Sequence, residues 1–147
     1  MILLDANILL YAYWPGSEHH HSARKWLEAI VAGGSALWLS WPGILAFLRI
    51  ATDPRVSARP MRMKEAAAAI TALLQQPNVS MLSPESDHWR ILCSLLEKAQ
   101  VRGALVMDAH LAALAIEHGA VLATNDLDFR RFGGLKLRYP LAEAGVS

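Results

Sequence analysis

The chain opens with the stretch Met1-Ile2-Leu3-Leu4-Asp5, in which an unbroken apolar run is followed by a single carboxylate. A short and fully apolar run is typical of a central strand in a parallel sheet, because both faces of such a sheet are covered. Asp5 would then lie at the carboxyl end of the strand, where open α/β sheets bind their ligands. Two interpretations of Asp5 stay open from this stretch alone. It is either the N-cap of a helix that begins near Ala6 or a ligand at a binding site.

The rest of the chain alternates short apolar runs with segments of helical period. Strands are predicted over residues 1–4, 36–39, 79–82 and 120–123, with a possible fifth over 135–137. Helices are predicted over residues 6–13, 20–32, 42–51, 64–76, 86–100 and 106–118, and Trp89 is expected to face the core. This alternation predicts a three-layer α/β/α fold with a four- to five-stranded, mainly parallel sheet, formed by a single domain over residues 1–147.

The composition is rich in core-forming residues and poor in charge. Hydrophobic residues make up 54% of the chain and charged residues 18%, which favours an exposed apolar face for a partner or a second subunit. Cys93 is the only cysteine, so an internal disulfide is excluded and a reducing compartment is expected. The opening apolar run is interrupted by Asp5, and it has neither the length of a membrane span nor the pattern of a signal peptide. We therefore expect a cytoplasmic protein with no membrane segment.

Asp108 lies near the start of the helix predicted over residues 106–118. Leu111 and Ala112 follow it at i+3 and i+4, so Asp108 projects from the apolar face of this helix. A carboxylate on the apolar face of a helix, near the end of that face, needs a cation or several hydrogen-bond donors. We therefore interpret Asp108 as a candidate ligand, with a helix cap as the alternative.

Asp126 and Asp128 come directly after the strand predicted over residues 120–123. Carboxylates at this spacing suit a site for a hard cation, and they suit an ordinary Asx turn equally well. Asp5 and Asp126 both follow strands, so both are expected at the carboxyl edge of one parallel sheet, and Asp108 opens the helix that leads into the second of those strands. Several carboxylates in one cleft repel one another unless a divalent metal neutralises them. The pattern therefore predicts a metal site at this edge.

Basic residues are concentrated in two stretches, although the formal net charge is only +1. The first stretch includes Arg49, Arg55 and Arg59, with Asp53 as its one acid, and the second spans residues 130–138. Such patches can bind the phosphates of a nucleic acid. They can equally form a solvated face or dock an acidic partner, and the sequence leaves these interpretations open.

Four motifs, taken in order along the chain, also resemble a known family. They are Leu4-Asp5-Ala6-Asn7 with Leu10-Tyr11-Ala12, then Phe47-Leu48-Arg49-Ile50-Ala51-Thr52, then Asp108-Ala109-His110-Leu111-Ala112-Ala113, and finally Thr124-Asn125-Asp126-Leu127-Asp128-Phe129. This ordered set resembles PIN-domain ribonucleases, and within them the VapC toxins of type II toxin–antitoxin modules. The resemblance covers essentially the whole chain.

The resemblance implies a metal-dependent endoribonuclease that cleaves RNA, uses Mg²⁺ or Mn²⁺ and is neutralised by a VapB antitoxin. The residues that match the catalytic and metal-binding positions are Asp5, Asp108 and Asp126. Asp128 matches an acidic position that acts through the water shell of the metal. The polar neighbours expected to orient these carboxylates are Asn7, Thr124 and Asn125. The apolar surplus of the composition in turn predicts a homodimer and a hydrophobic groove for an antitoxin segment.

The chain departs from the family at one position. The family usually has a glutamate on the helix after the second strand, and aligning Ser40-Trp41 places it at Ala46. Arg49, one helical turn later, could neutralise a phosphate there instead. We therefore hypothesise that one metal is held firmly and a second only weakly or with substrate. The alternative is a catalytically weak PIN module that binds RNA or a protein without cleavage, whereas Asn7 disfavours a haloacid-dehalogenase-like phosphatase because that chemistry requires an aspartate there.

Overall fold

The computed structural model describes residues 1–144, apart from the side chain of Ala144. Its sheet has five parallel strands: β1 (Ile2–Leu4), β2 (Leu37–Leu39), β3 (Val79–Met81), β4 (Val121–Ala123) and β5 (Lys136–Arg138). The α-helices within the described residues are α1 (Ala6–Tyr13), α2 (His20–Ala32), α3 (Trp41–Ala51), α4 (Met63–Leu74), α5 (His88–Lys98), α6 (Leu105–His118) and α7 (Pro140–Ala144). The strand order is β3-β2-β1-β4-β5, which places β1 at the centre of the sheet.

The opening strand is buried on both faces, as its sequence predicts. Leu3 packs with residues of α5 and α6, whereas Ile2 and Leu4 pack with residues of α1 to α4. Successive side chains of a strand point to opposite faces of its sheet, so a strand with both faces covered carries no polar alternation. The predicted three-layer α/β/α fold is confirmed, and the sheet is parallel throughout.

Helix α6 lies directly against the sheet and carries Asp108 in its first turn. Its buried face is built largely of alanines, such as Ala109 and Ala112, both of which have no exposed surface. Such small side chains allow the helix axis to approach the strands closely. The helix ends at Gly119, whose φ of 65° is the left-handed conformation that glycine adopts without strain.

The structure corrects the prediction for α5 and adds two short elements. Trp89 is 70% exposed instead of facing the core, because the inward stripe of α5 runs through His88 and Leu95, and Trp89 lies about 100° around the helix from His88. A 3₁₀ helix at Leu127–Arg131 and the helix α7 were not predicted. Among the described residues, no helix has the length and apolar character needed to cross a membrane.

Candidate active site

Asp5 lies at the carboxyl end of β1 and caps the helix that follows. Its Oδ1 accepts a hydrogen bond from the backbone N–H of Ala6 at 2.7 Å, which confirms the N-cap interpretation. Its Oδ2 accepts a second hydrogen bond from the hydroxyl of Thr124, also at 2.7 Å. Because each oxygen is held by one donor and keeps further acceptor capacity, the carboxylate has a fixed orientation and could still bind a cation.

Thr124 connects the two strand ends that carry acids. Its Oγ1 donates to Asp5, and it accepts hydrogen bonds from Asn7 Nδ2 at 3.3 Å and from the backbone N–H of Asp126 at 3.0 Å. A hydroxyl has one proton and two lone pairs, so these three bonds use its full capacity, and both N–H partners force its proton towards Asp5. Asn125 joins the same network, since its N–H donates to Asn7 Oδ1 at 3.3 Å.

The segment after β4 turns sharply and presents two more carboxylates. Asp126 Oδ1 accepts the backbone N–H of Asp128 at 2.8 Å and caps the 3₁₀ helix at Leu127–Arg131, which is the Asx turn that the sequence left open. The side chain of Asp128 is 60% exposed, and one of its oxygens lies 3.7 Å from Arg131 Nη2. Tyr139 supports the turn by donating its hydroxyl proton to the backbone oxygen of Asp126 at 3.3 Å.

Electrostatic coupling shows that these carboxylates share one region. Burial and, to a smaller extent, the nearby charges of Asp5, Asp126 and Asp128 together raise the pKa of Asp108 to about 6, while Arg131 opposes the rise. Burial also raises the pKa of Asp5; the hydrogen bonds from Thr124 and Ala6 counteract this effect, and Asp126 contributes a smaller rise. Carboxylates that repel one another and raise one another's pKa in this way favour the approach of a cation.

The donor set fits a magnesium-type ion that keeps most of its water. Within residues 1–144, no group of three or more His, Cys, Asp or Glu side chains is arranged closely enough to enclose a metal ion. Mg²⁺ needs only one or two carboxylates and retains several waters, whereas Zn²⁺ requires a tight cage of nitrogen or sulfur ligands. All four acids offer hard oxygen ligands, and Asp5 and Asp108 line a cleft, so the group suits Mg²⁺ and does not suit Zn²⁺.

A cleft of about 420 Å³ opens beside Asp5 and Asp108. Ala46 and Arg49 of α3 lie on its wall, so the position where the family usually has glutamate does face the acids. Among the described residues, Arg49 has no carboxylate within 4.0 Å. The apolar part of the wall includes three exposed side chains, those of Trp41, Leu45 and Met107, with exposures of 60, 58 and 55%.

The other two arginines considered for phosphate binding lie elsewhere. Arg55 is on the loop after α3, where its guanidinium bonds both carboxylate oxygens of Asp53 at 3.0 and 3.1 Å and lowers the pKa of that group. Arg59 lines a separate groove with Tyr13 and Trp14. The structure therefore brings Arg49 to the acidic cleft and leaves Arg55 and Arg59 outside it.

Sequence reasoning included Arg131 only as part of the basic stretch over residues 130–138 and did not place it beside the acids. It did not single out Tyr139 or the apolar wall of the cleft. Arg131 has a possible signal, because it follows Asp128 by three residues, a spacing that suits an ion pair on a helical turn. Tyr139 gives no local signal, since its hydroxyl reaches Asp126 across a sequence separation of 13 residues. Trp41 and Leu45 give no sequence signal for their place in the cleft, because the apolar pattern of α3 does not distinguish a cleft wall from the core.

Comparison with known proteins identifies relatives over almost the whole chain. The family model for the PIN domain matches residues 2–135. Ribonuclease VapC33 of Mycobacterium tuberculosis is 40% identical over 143 residues, a match that covers 97% of this chain and 100% of that protein. Ribonuclease VapC37 of the same species is 37% identical over 142 residues, covering 97% of this chain and 99% of that protein.

Solved structures with the same fold are more distant in sequence. VapBC2 from Rickettsia felis, bound to a DNA fragment from its promoter, matches with a TM-score of 0.66 at 20% identity and covers 94% of this chain and 98% of that one. The sarcin-ricin loop cleaving toxin VapC20 of Mycobacterium tuberculosis matches with a TM-score of 0.64 at 17% identity, covering 92% of this chain and 99% of that one. At these identities the likeness shows a shared fold.

Proposed function

This chain belongs to the PIN-domain family and, within it, to the VapC ribonucleases, and on that premise we propose that it is an endoribonuclease that hydrolyses phosphodiester bonds in RNA. The observation that carries the proposal is the meeting of Asp5, Asp108, Asp126 and Asp128 at the carboxyl edge of the sheet, where each of the other three raises the pKa of Asp108. Arg131 is the one basic side chain that pairs with a member of this group among the described residues, so four carboxylates meet there with less positive charge than they carry.

We propose that Asp5, Asp108 and Asp126 hold Mg²⁺ or Mn²⁺, one or two of them directly and the rest through metal-bound water, and that Asp128 contributes through the water shell of the ion. When bound, such an ion would supply Lewis-acid stabilisation of the charge that develops on the phosphate and would lower the pKa of water. Thr124 would keep Asp5 in one orientation through its donated hydrogen bond, and Asn7 and Asn125 would hold Thr124 and the turn in place. Such supporting contacts often change metal affinity by one or two orders of magnitude.

Arg49 would bind the substrate from the opposite wall of the cleft. It lines the same cleft as Asp5 and Asp108 and has no ion pair within the described residues that would have to be broken first. A planar guanidinium can donate two parallel hydrogen bonds to a phosphate. The cleft therefore offers a cation to the phosphate group and carboxylates to the metal.

The decisive test is RNA cleavage by the purified protein with Mn²⁺ or with a chelator, repeated with Asp5→Asn. We expect cleavage to require the metal and to fall by about a hundredfold or more in the variant, because one ligand loses its charge. Asp87→Asn removes an exposed carboxylate outside the cleft and is the matched control, with activity expected to stay at the wild-type rate. Cleavage that survives Asp5→Asn would contradict the metal-nuclease proposal.

A second candidate function is an RNA- or protein-binding PIN module with little catalytic activity. The observation in its favour is Ala46, which lines the cleft where the family usually places a glutamate and cannot bind a metal. The same experiment separates the two functions. Metal-dependent cleavage lost in Asp5→Asn supports the ribonuclease, whereas RNA binding without cleavage at any Mn²⁺ concentration supports the binding module.

The named relatives also suggest partners. Several matched structures are VapBC toxin–antitoxin complexes, so we propose that a VapB-type antitoxin neutralises this chain. A groove of about 380 Å³ between α1, α2 and α4 has an apolar floor that includes Leu27 and Leu73, and it would suit an apolar antitoxin segment. We also propose a cytoplasmic location, where RNA substrates are found. The exposed side chains of Trp41, Leu45 and Met107 on the wall of the acidic cleft favour a homodimer through that wall.

A further inference from the structure

A second, smaller cavity of about 180 Å³ lies between the C-terminal half of α5 and the end of the 3₁₀ helix. Its lining residues are Ser94, Leu95, Lys98, Ala99, Arg131, Phe132 and Gly133. The cavity is smaller than typical sites for whole small-molecule ligands, which are about 300 Å³ or more. It therefore suits one compact chemical group of a larger molecule.

The charges around this cavity select an anion. Lys98 and Arg131 supply two positive charges, Ser94 adds a hydroxyl, and no carboxylate is among the lining residues. Lys98 has no ion-pair partner within 4.0 Å among the described residues. A lysine at the C-terminus of a helix is favoured by the helix dipole, so its position alone indicates no ligand. Arg131 likewise lies in the last turn of its 3₁₀ helix and pairs with Asp128, so neither cation indicates a ligand by its own position. What points to an anion is that the two cations line one cavity together with a hydroxyl and no carboxylate.

Arg131 links this cavity to the acidic cluster. Its Nε donates to the backbone oxygen of Asp128 at 3.1 Å, and its Nη2 lies 3.7 Å from Asp128 Oδ1. These contacts hold the guanidinium in place and occupy only part of its five donors. A phosphate bound in the cavity would therefore meet a cation that is already oriented, immediately beside the carboxylates.

The sheet topology places the two cationic walls on either side of Asp5. Arg49 lies on the helix that follows β2, and Arg131 lies on the 3₁₀ helix that follows β4, while β1 runs between those two strands. A single strand of RNA that crosses the acids would pass from one arginine to the other. A substrate with phosphates along its whole backbone can use both cations at once.

From this arrangement we propose that Ser94, Lys98 and Arg131 form a subsite for a backbone phosphate of the RNA substrate, on the side of the scissile phosphate opposite Arg49. The subsite rests on the proposed ribonuclease function. It extends that function by assigning a binding role to residues outside the acidic cleft. Its occupant is a phosphodiester, which is recognised by charge and hydrogen bonding without regard to base sequence.

The test measures binding of single-stranded RNA to the Asp5→Asn protein in the presence of a chelator, so that cleavage does not interfere. Adding Lys98→Gln should weaken binding about 5- to 10-fold at low salt and make the slope of log affinity against log salt shallower by roughly 0.7. Ser94→Ala should weaken it about 2- to 5-fold. Lys25→Gln on α2 removes the same charge from an exposed position outside the cavity, and its affinity should match that of the Asp5→Asn parent.

A second measurement identifies the phosphate directly. Replacing one phosphate of the RNA at a time by a neutral methylphosphonate should weaken binding at one position in the parent protein and cause no further loss there in the Lys98→Gln variant. Unchanged affinity and salt slope in Lys98→Gln would overturn the subsite, as would equal losses in Lys98→Gln and Lys25→Gln. These results are independent of cleavage by the wild-type protein, whose absence would count against the proposed ribonuclease function alone.

Discussion

The hydroxyl of Thr124 offers the sharpest test of how the site is held together, through the substitution Thr124→Val. Valine keeps the shape of threonine and removes only the hydrogen-bonding group from a side chain that is fully buried. Three bonds are lost at once: the one donated to Asp5 at 2.7 Å, and those accepted from Asp126 N–H at 3.0 Å and from Asn7 Nδ2 at 3.3 Å. The packing of the core is left almost unchanged.

The expected loss in the free energy of unfolding is about 3 kcal/mol. The bond to the ionised Asp5 is worth roughly 1.5–3 kcal/mol, and the buried N–H of Asp126 loses its partner at a cost of about 1 kcal/mol or more. The long bond from Asn7 contributes little. For a chain of this size, each kcal/mol lowers Tm by about 2–4 °C, so Tm should fall by roughly 6–12 °C.

Thermal and urea denaturation would measure this loss, with Thr124→Ser as the matched control. Serine keeps the hydroxyl, so it should cost about 1 kcal/mol for the missing methyl group. The Mn²⁺ concentration that half-saturates cleavage should rise about 10- to 100-fold in Thr124→Val and stay near the wild-type value in Thr124→Ser. Equal losses in the two variants, or a Tm for Thr124→Val within about 2 °C of wild type, would refute the reasoning.

Three further predictions follow from the same cleft. Ala46→Glu should lower the half-saturating Mn²⁺ concentration about tenfold, since it adds a carboxylate to the cleft that Asp5 lines. Ala46→Gln is the control and should leave this concentration near the wild-type value, as measured by titrating cleavage against Mn²⁺. The pKa of Asp108 is about 6 in the folded chain and near 3.8 in the unfolded chain, so between these pH values the folded state binds more protons. The Tm of the metal-free protein should therefore fall as pH rises from about 4 to about 6. Asp108→Asn should flatten this dependence and raise Tm at pH 7 by roughly 2–4 °C, allowing for solvent screening of a half-exposed group; an unchanged pH profile by scanning calorimetry would contradict the assignment. Trp41→Lys should convert the proposed dimer to a monomer in light scattering, while Trp89→Lys, a control at a similarly exposed tryptophan, should not.

The central strands were predictable because a strand inside a parallel sheet has a simple sequence pattern, a short run of apolar residues. Residues buried on both faces must be apolar, so Ile2–Leu4 and Val121–Ala123 stand out without any alternation of polar residues. The meeting of Asp5 with the segment after β4 followed from the rule that parallel strands end at one edge. The short 3₁₀ helix and α7 could not be predicted in the same way, since five residues hold too little of a helical period.

Details of the site were set by tertiary contacts that sequence spacing does not encode. The register that pairs Leu4 with Ala123 places Asp5 beside Thr124, and only this pairing makes the hydroxyl of Thr124 the centre of the network. The arginines also show that sequence spacing does not predict which side chains reach the cleft. Arg49 and Arg55 lie six residues apart, but α3 ends at Ala51, so one lines the cleft and the other forms its ion pair with Asp53 on the loop.

The charge balance of the cleft explains how an alanine at position 46 can be compatible with catalysis. The acids Asp5, Asp108 and Asp126 provide enough negative charge for one divalent ion. The wall that faces them offers Ala46 and, one helical turn further, the cation of Arg49. A second divalent ion on that wall would have no carboxylate to bind and would be repelled by the arginine until a phosphate neutralised it. On the proposed ribonuclease function, we therefore expect the cleft to bind one metal in the absence of substrate and Arg49 to neutralise the charge of the phosphate.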